Sequence, residues 1–391
     1  MRLLRSERVA AALLLGAAAL GLVLANLPGI GHALLAFANT EWHLPVPGLA
    51  LSPKHWVSDG LLALFFFAVA VELRRELAVG ELNSVRKAAL PAIAAAGGVL
   101  VPALVYLGLA GREFPGGWPI PTATDIAFAL GILGLFGRGI PNHVRVFLLA
   151  LAVIDDLIAI LIIAFFFTQH VALPWLGGAA ACLLVFAWLS KLLAPRSPYL
   201  LARRPQWPIV TALWVLAVLT WWCVLSSGVH ATVAGVALGF VIARQPGGRM
   251  HVLLEPVTNG VVLPLFAFSA AAVAFPAVGA ASLHAEFWAI VVALPLGKVV
   301  GIVGAGWLGA RAMRGSWVSR SPVDLVMVGC LGGVGFTVAL LMNELAFRGS
   351  PEITDEGVLA VLAGSALAIA YSSVFVALRA RSLRRGPQQN E

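Results

Sequence analysis

Residues 146–168, VFLLALAVIDDLIAILIIAFFFT, decide the fold: nine apolar residues precede Asp155 and Asp156, and eleven, Leu157 to Phe167, follow them. A helix of roughly 20 apolar residues spans the hydrocarbon of a bilayer, so the two carboxylates lie near mid-membrane. An ionised side chain there costs about 2.5–3.5 kcal/mol on insertion scales, and a chain that keeps two of them uses them. Successive helical residues point about 100° apart, so the two acids cannot serve one spot equally and should have different jobs.

Outward from this segment the apolar pattern repeats. The 391 residues are 60% hydrophobic and 11% charged, with a mean hydropathy of +0.95. Such a composition excludes a soluble enzyme and a disordered chain, and leaves a polytopic membrane protein. Twelve apolar runs stand near 9–27, 58–79, 88–110, 120–136, 144–167, 174–193, 207–224, 229–243, 252–279, 286–310, 322–347 and 355–378. The fold expected is an all-α bundle of twelve transmembrane helices. The first run follows Arg2, Arg5 and Arg8 but is long for a signal peptide and lacks a small-residue cleavage site, so it counts as a span. Cys182, Cys223 and Cys330 lie in apolar runs at neither metal nor redox spacing and are expected as core residues.

Positive charge sets the orientation. Of the 26 Lys and Arg residues, 22 fall at the termini or in loops on the N-terminal side; Lys54, Arg112 and Arg348 fall opposite, and Lys298 lies within a span. That bias places both termini in the cytoplasm, and it makes the isoelectric point near 10.1 a topology signal instead of a nucleic-acid one. The loop 41–53 interleaves Trp42, Leu44, Val46, Leu49 and Leu51 with prolines and a glycine. A small extracellular β-hairpin and an interfacial loop anchored by Trp42 and Trp56 are both open.

Two further charges stand within apolar runs. Lys298 has eleven uncharged residues before it and twelve after, too deep for comfortable snorkelling, so a carboxylate partner is the cheaper arrangement. Asp125 lies in PTATDIAFALG, where Thr122 and Asp125 have capping-box spacing; a helix starting at Thr122 would start inside the membrane and make cap and ion ligand the same residue. A matching stretch, VGCLGGVGFTV, carries Gly329, Gly332, Gly333 and Gly335, where a second interruption and close helix packing are both open. One interrupted span in each half is the pattern of carriers built from inverted-topology repeats, here 88–167 and 286–378. The pairs Gly235/Gly239 and Gly297/Gly301 read as helix-packing spacings.

Three aspartates and a lysine in a low-dielectric cavity suit small hard cations and protons. The carboxylates and the Thr124 hydroxyl fit Na⁺ or Li⁺, with Asp155 and Asp156 the candidate ligands. A buried carboxylate that accepts a proton or a cation, but not both, couples the two. The pair titrates as one system.

PTATDIAFALG, FLLALAVIDDLIAI, SGVHATVAG, LPLFAF, LGK with a following GI, and GGVGFT resemble, in order and separation, the NhaA-type sodium/proton antiporters; the match runs from Val9 to Arg379. The resemblance implies broken fourth and eleventh spans that cross near the midplane, Asp156 as the main cation and proton ligand, Asp155 paired with Lys298, and Asp125 and Thr124 shaping the site. It implies electrogenic exchange of cytoplasmic Na⁺ or Li⁺ for external H⁺ in a bacterial inner membrane, activation at alkaline pH, no cofactor, and a homodimer joined partly through 41–53. The family's pH-response region maps to Glu72, Glu76 and His230 and to the start of the ninth span. A salt-bridged helix end beside Arg74 and Arg75 also accounts for Glu72 and Glu76, and a satisfied buried histidine for His230. At the ninth span His251 precedes Glu255 and Pro256, reversing the family's order of acid and imidazole, so its pH set-point does not carry over. FAFSAAA at 266–272 and Val299 after the lysine are further departures that leave the core charges intact. Asp59 after Ser58 is expected to start the second span.

An intramembrane aspartyl protease needs acids facing each other from two helices, and no G-x-G-D occurs. A sodium-coupled carrier of organic solutes needs more buried Asn, Gln and Arg, and a passive channel needs no titratable buried pair. None of these fits as well as an ion/proton exchanger.

Overall fold

The computed structural model describes residues 7–43, 49–79, 85–167, 172–193, 206–275, 283–313 and 321–385. Their helices, in chain order, are α1 (Glu7–Ala25), α2 (Ile30–Asn39), α3 (Pro53–His55), α4 (Leu62–Ala78), α5 (Val85–Ala110), α6 (Ile126–Phe136), α7 (Asn142–Phe166), α8 (Leu173–Leu192), α9 (Trp207–Ser226), α10 (Thr232–Val241), α11 (Arg244–Val257), α12 (Leu263–Ala271), α13 (Ala285–Val292), α14 (Lys298–Ala312), α15 (Pro322–Gly332), α16 (Phe336–Ala346) and α17 (Pro351–Arg385). Among the described residues, nine helical stretches are long and apolar enough to cross a membrane, or up to eleven when each of two bent pairs counts as one. The chain is a helical, multi-pass membrane protein.

The expected twelve differs from this count at α10. It has only 10 residues, about 15 Å at 1.5 Å per residue, half a bilayer. Another difference is α2, a helix between the first two expected spans; it turns 111° away from the preceding helix. Gly29, at a φ of 80°, makes that corner.

Three spans carry a π turn where a helix would otherwise run straight: Trp56–Leu61, Thr258–Val262 and Ala293–Gly297. Proline accounts for the last two, since Pro256 and Pro295 each remove a ladder donor and crowd the preceding turn. The Tyr371 hydroxyl donates to the Pro295 carbonyl at 3.1 Å.

Glycine sets how close the spans come. A Cβ on Gly301 would run into the Gly97 backbone, one on Gly297 would lie 2.9 Å from Pro102 Cα, and one on Gly239 would lie 2.6 Å from the Phe67 carbonyl. Both small-residue spacings are therefore packing contacts, of α14 on α5 and of α10 on α4. The spans holding Asp125, Asp155 and Asp156 are also the innermost: Pro115–Phe136 and Asn142–Phe166 are 72% and 67% buried, whereas Leu173–Leu192 and Trp207–Ser226 are 17% and 22% buried. The aspartates thus lie in the centre of the bundle.

Strands β1 (Trp42–His43) and β2 (Ala50–Leu51) pair antiparallel, Trp42 with Leu51 and His43 with Ala50. A hairpin stem forms as one of the two readings expected. Its connecting residues 44–48 lie outside the described residues.

Candidate functional site

The first interruption comes after two short 3₁₀ turns, where Ala123 and Asp125 are extended before α6 begins at Ile126. The helix does not start at Thr122. Thr122 instead donates its hydroxyl to the Pro119 carbonyl at 2.6 Å, and Asp125 takes the N-cap position, accepting the Phe128 amide at 3.2 Å. The second interruption falls between Gly332 and Phe336, with a bend of 48° between α15 and α16.

These two breaks lie against each other. The Asp125 amide donates to the Val334 carbonyl at 2.6 Å, and the Thr124 hydroxyl donates to the Gly332 carbonyl at 2.9 Å. Asp125 Oδ2 accepts from the Thr337 amide and hydroxyl, at 3.1 and 2.6 Å. One carboxylate therefore faces the N-terminal ends of both α6 and α16, where unpaired amides and the helix dipole favour negative charge. Thr337 is the site residue that sequence reading missed; its only signal was a polar side chain two residues after the last glycine of the break.

Lys298 begins α14 directly after the Pro295 π turn. It is fully buried, and Thr124, Asp155, Asp156 and Asp125 are exposed by 4% or less. Its Nζ pairs with Asp155 Oδ2 and donates to the Thr124 hydroxyl at 2.9 Å. Through Thr124 the ammonium lies next to the C-terminal end of α15, the end a helix dipole makes favourable for a cation. Asp155 Oδ1 has no hydrogen-bond partner among the described residues.

Asp156 is arranged differently. Its side chain makes no hydrogen bond among the described residues and lines a cavity of about 170 Å³ with Thr124, Asp125 and Thr337. The two adjacent acids face apart, as the helical angle requires: one neutralises the lysine and the other opens on space. The same cavity reaches Glu72, His251 and Glu255, with His251 Nε2 3.7 Å from Glu72 Oε2. His251 and Glu255 line one wall together, despite their exchanged order in sequence.

His230 is not part of this group. Its Nε2 lies 3.2 Å from Asp59 Oδ1 and its Nδ1 2.9 Å from the Thr232 hydroxyl, so it is a satisfied buried histidine. Asp59 does not start the second span. The helix begins earlier, at Pro53, capped by Ser52, and Asp59 lies within the π turn facing His230. Of the pH-response candidates, the Glu76 side chain falls outside the described residues.

A cavity with one unpaired carboxylate, a hydroxyl and a second carboxylate at two helix ends can hold a dehydrated monovalent cation or a proton. A family model described as Na⁺/H⁺ antiporter 1 matches residues 1–376. The chain is 56% identical over 386 residues to the Na⁺/H⁺ antiporter NhaA 2 of Clavibacter michiganensis subsp. michiganensis, covering 98% of this chain and 93% of that protein. It is 44% identical over 372 residues to the Na⁺/H⁺ antiporter NhaA of Tropheryma whipplei, covering 94% and 92%. To the Na⁺/H⁺ antiporter NhaA of Streptomyces antibioticus it is 42% identical over 389 residues, covering 96% and 78%.

Proposed function

This chain belongs to the Na⁺/H⁺ antiporter 1 family, and on that premise we propose that it exports cytoplasmic Na⁺ or Li⁺ in electrogenic exchange for external H⁺. The observation that carries the reading is Asp156, buried at 3% exposure yet without a side-chain hydrogen bond among the described residues and open to the cavity. A carboxylate with a fixed partner cannot exchange ligands quickly; one facing space can hold H⁺ or a cation in turn. Thr124 and Asp125 beside it offer further oxygen ligands. Electrogenic exchange needs more than one titrating group, and the Lys298–Asp155 pair next to Asp156 supplies a second.

The protein works in a bacterial inner membrane with both termini cytoplasmic, the orientation favoured by its 22 basic residues on one side. All twelve apolar runs serve as spans, and 88–167 and 286–378 are inverted repeats whose broken helices cross at the midplane. The cavity then opens to the cytoplasm past Glu72, His251 and Glu255, where cytoplasmic pH acts on access to Asp156. Two copies associate through the hairpin at 41–53.

Everted membrane vesicles with a preset proton gradient test this. Na⁺ or Li⁺, but not K⁺, collapses the gradient, and Asp156→Asn abolishes the response. Equal action of K⁺, or normal exchange by Asp156→Asn, contradicts the assignment.

A further inference from the structure

A second group of titratable side chains meets where α13 and α17 begin. His284 precedes α13, Glu286 is in its first turn, and Glu356 is near the start of α17. His284 Nδ1 lies 3.2 Å from each Glu356 carboxylate oxygen and 4.0 Å from Glu286 Oε1. One ligand atom from each of the three can be chosen so that all lie within 4.8 Å of one another. The His284 amide donates to Glu356 Oε2 at 3.1 Å, and the Phe114 ring meets the imidazole edge-on at 5.7 Å. Both contacts fix the imidazole against the carboxylate.

Glu286 needs an explanation. It is fully buried, and neither carboxylate oxygen has a hydrogen-bond partner among the described residues. Its one ion-pair neighbour there is His284, which the two acids share. A buried carboxylate without donors is costly, and a ligand that binds it removes that cost.

We propose that His284, Glu286 and Glu356 form a binding site for a divalent transition-metal ion of the zinc type. One imidazole nitrogen and two carboxylate oxygens suit Zn²⁺, and without a thiolate the site does not suit Cu⁺. Tetrahedral zinc at about 2.0–2.1 Å from each ligand places ligand atoms ~3.3 Å apart. The His284–Glu356 separation already meets that, and Glu286 closes by a side-chain rotation. Two carboxylates balance the ion's charge. The His284 side chain is 41% exposed, which gives the ion an entry path and leaves a fourth position for water. Once bound, the ion bridges α13 to α17. The first of these runs through the Pro295 turn into Lys298, and the second packs on α15 and α16.

The test uses full-length, tag-free protein in detergent, titrated with Zn²⁺ against a chromophoric chelator. One zinc binds per chain and raises the thermal midpoint; His284→Ala and Glu286→Gln each weaken binding by about tenfold or more. X-ray absorption of the zinc-loaded protein gives a shell of one imidazole nitrogen with oxygens. Absence of saturable binding, binding unchanged in His284→Ala, or a sulfur-containing shell overturns the proposal. If Glu286→Gln fails to fold, the partly exposed His284→Ala decides alone.

Discussion

Asp125 accepts two hydrogen bonds from Thr337, from its amide at 3.1 Å and its hydroxyl at 2.6 Å, while its other oxygen caps α6. A single side chain thus caps the starts of two helices through a contact between residues 212 apart in sequence. Asp125→Ala removes both caps at once. The expected loss is about 2–4 kcal/mol, and Thr337→Ala costs about half of that. Thermal unfolding in detergent checks the ratio; equal losses would mean that Asp125 does not serve two ends.

Lys298→Ala strands Asp155 as an uncompensated buried charge, and the protein loses about 3–5 kcal/mol. Removing both partners costs less than the sum of the single losses. A double-mutant cycle of Lys298→Ala and Asp155→Ala measures this, and additive losses would argue against the ion pair.

Glycine contacts make a sharper structural claim. Gly301→Leu forces α14 off the Gly97 backbone and destabilises by about 1–3 kcal/mol or more. Gly304→Leu, on the same helix but with nothing within 4 Å of a Cβ, leaves the thermal midpoint unchanged. Similar midpoints for the two variants would contradict this packing.

Histidines separate structural from access roles. His230→Ala leaves Asp59, exposed by 5%, without its partner and costs about 1–3 kcal/mol. The pH profile of exchange stays in place. Glu72→Gln and His251→Ala, on the cavity wall, move that profile with little change in stability. A shifted profile in His230→Ala alone would reverse these roles.

Much of the centre was legible in the chain itself. Asp155, Asp156 and Lys298 each break a long apolar run, and a charge so placed has few physical reasons to exist. The adjacency of the two aspartates also foretold their division of labour, one facing Lys298 and the other the cavity. What sequence could not supply was the partner across the fold. Thr337 is an ordinary threonine until the second break brings it to Asp125. Glu286 stands at the edge of an apolar run, where an acid looks like a routine helix-start residue, and only folding places it beside Glu356. The start of α6 was misplaced because Thr122 and Asp125 have the spacing of a capping box, whereas Pro119 and Pro121 hold Thr122 in a 3₁₀ turn. The ten-residue length of α10 was not legible, because apolar composition does not reveal where a helix ends.

The central claim is that Asp156 holds either a proton or a cation. Calorimetric titration of the purified protein with Na⁺ across a range of pH tests it most directly. Competition for one carboxylate makes the apparent Kd rise about tenfold for each pH unit below the site's own pKa and level off above it, with no binding in Asp156→Asn. A Na⁺ affinity that is the same at every pH would contradict the account.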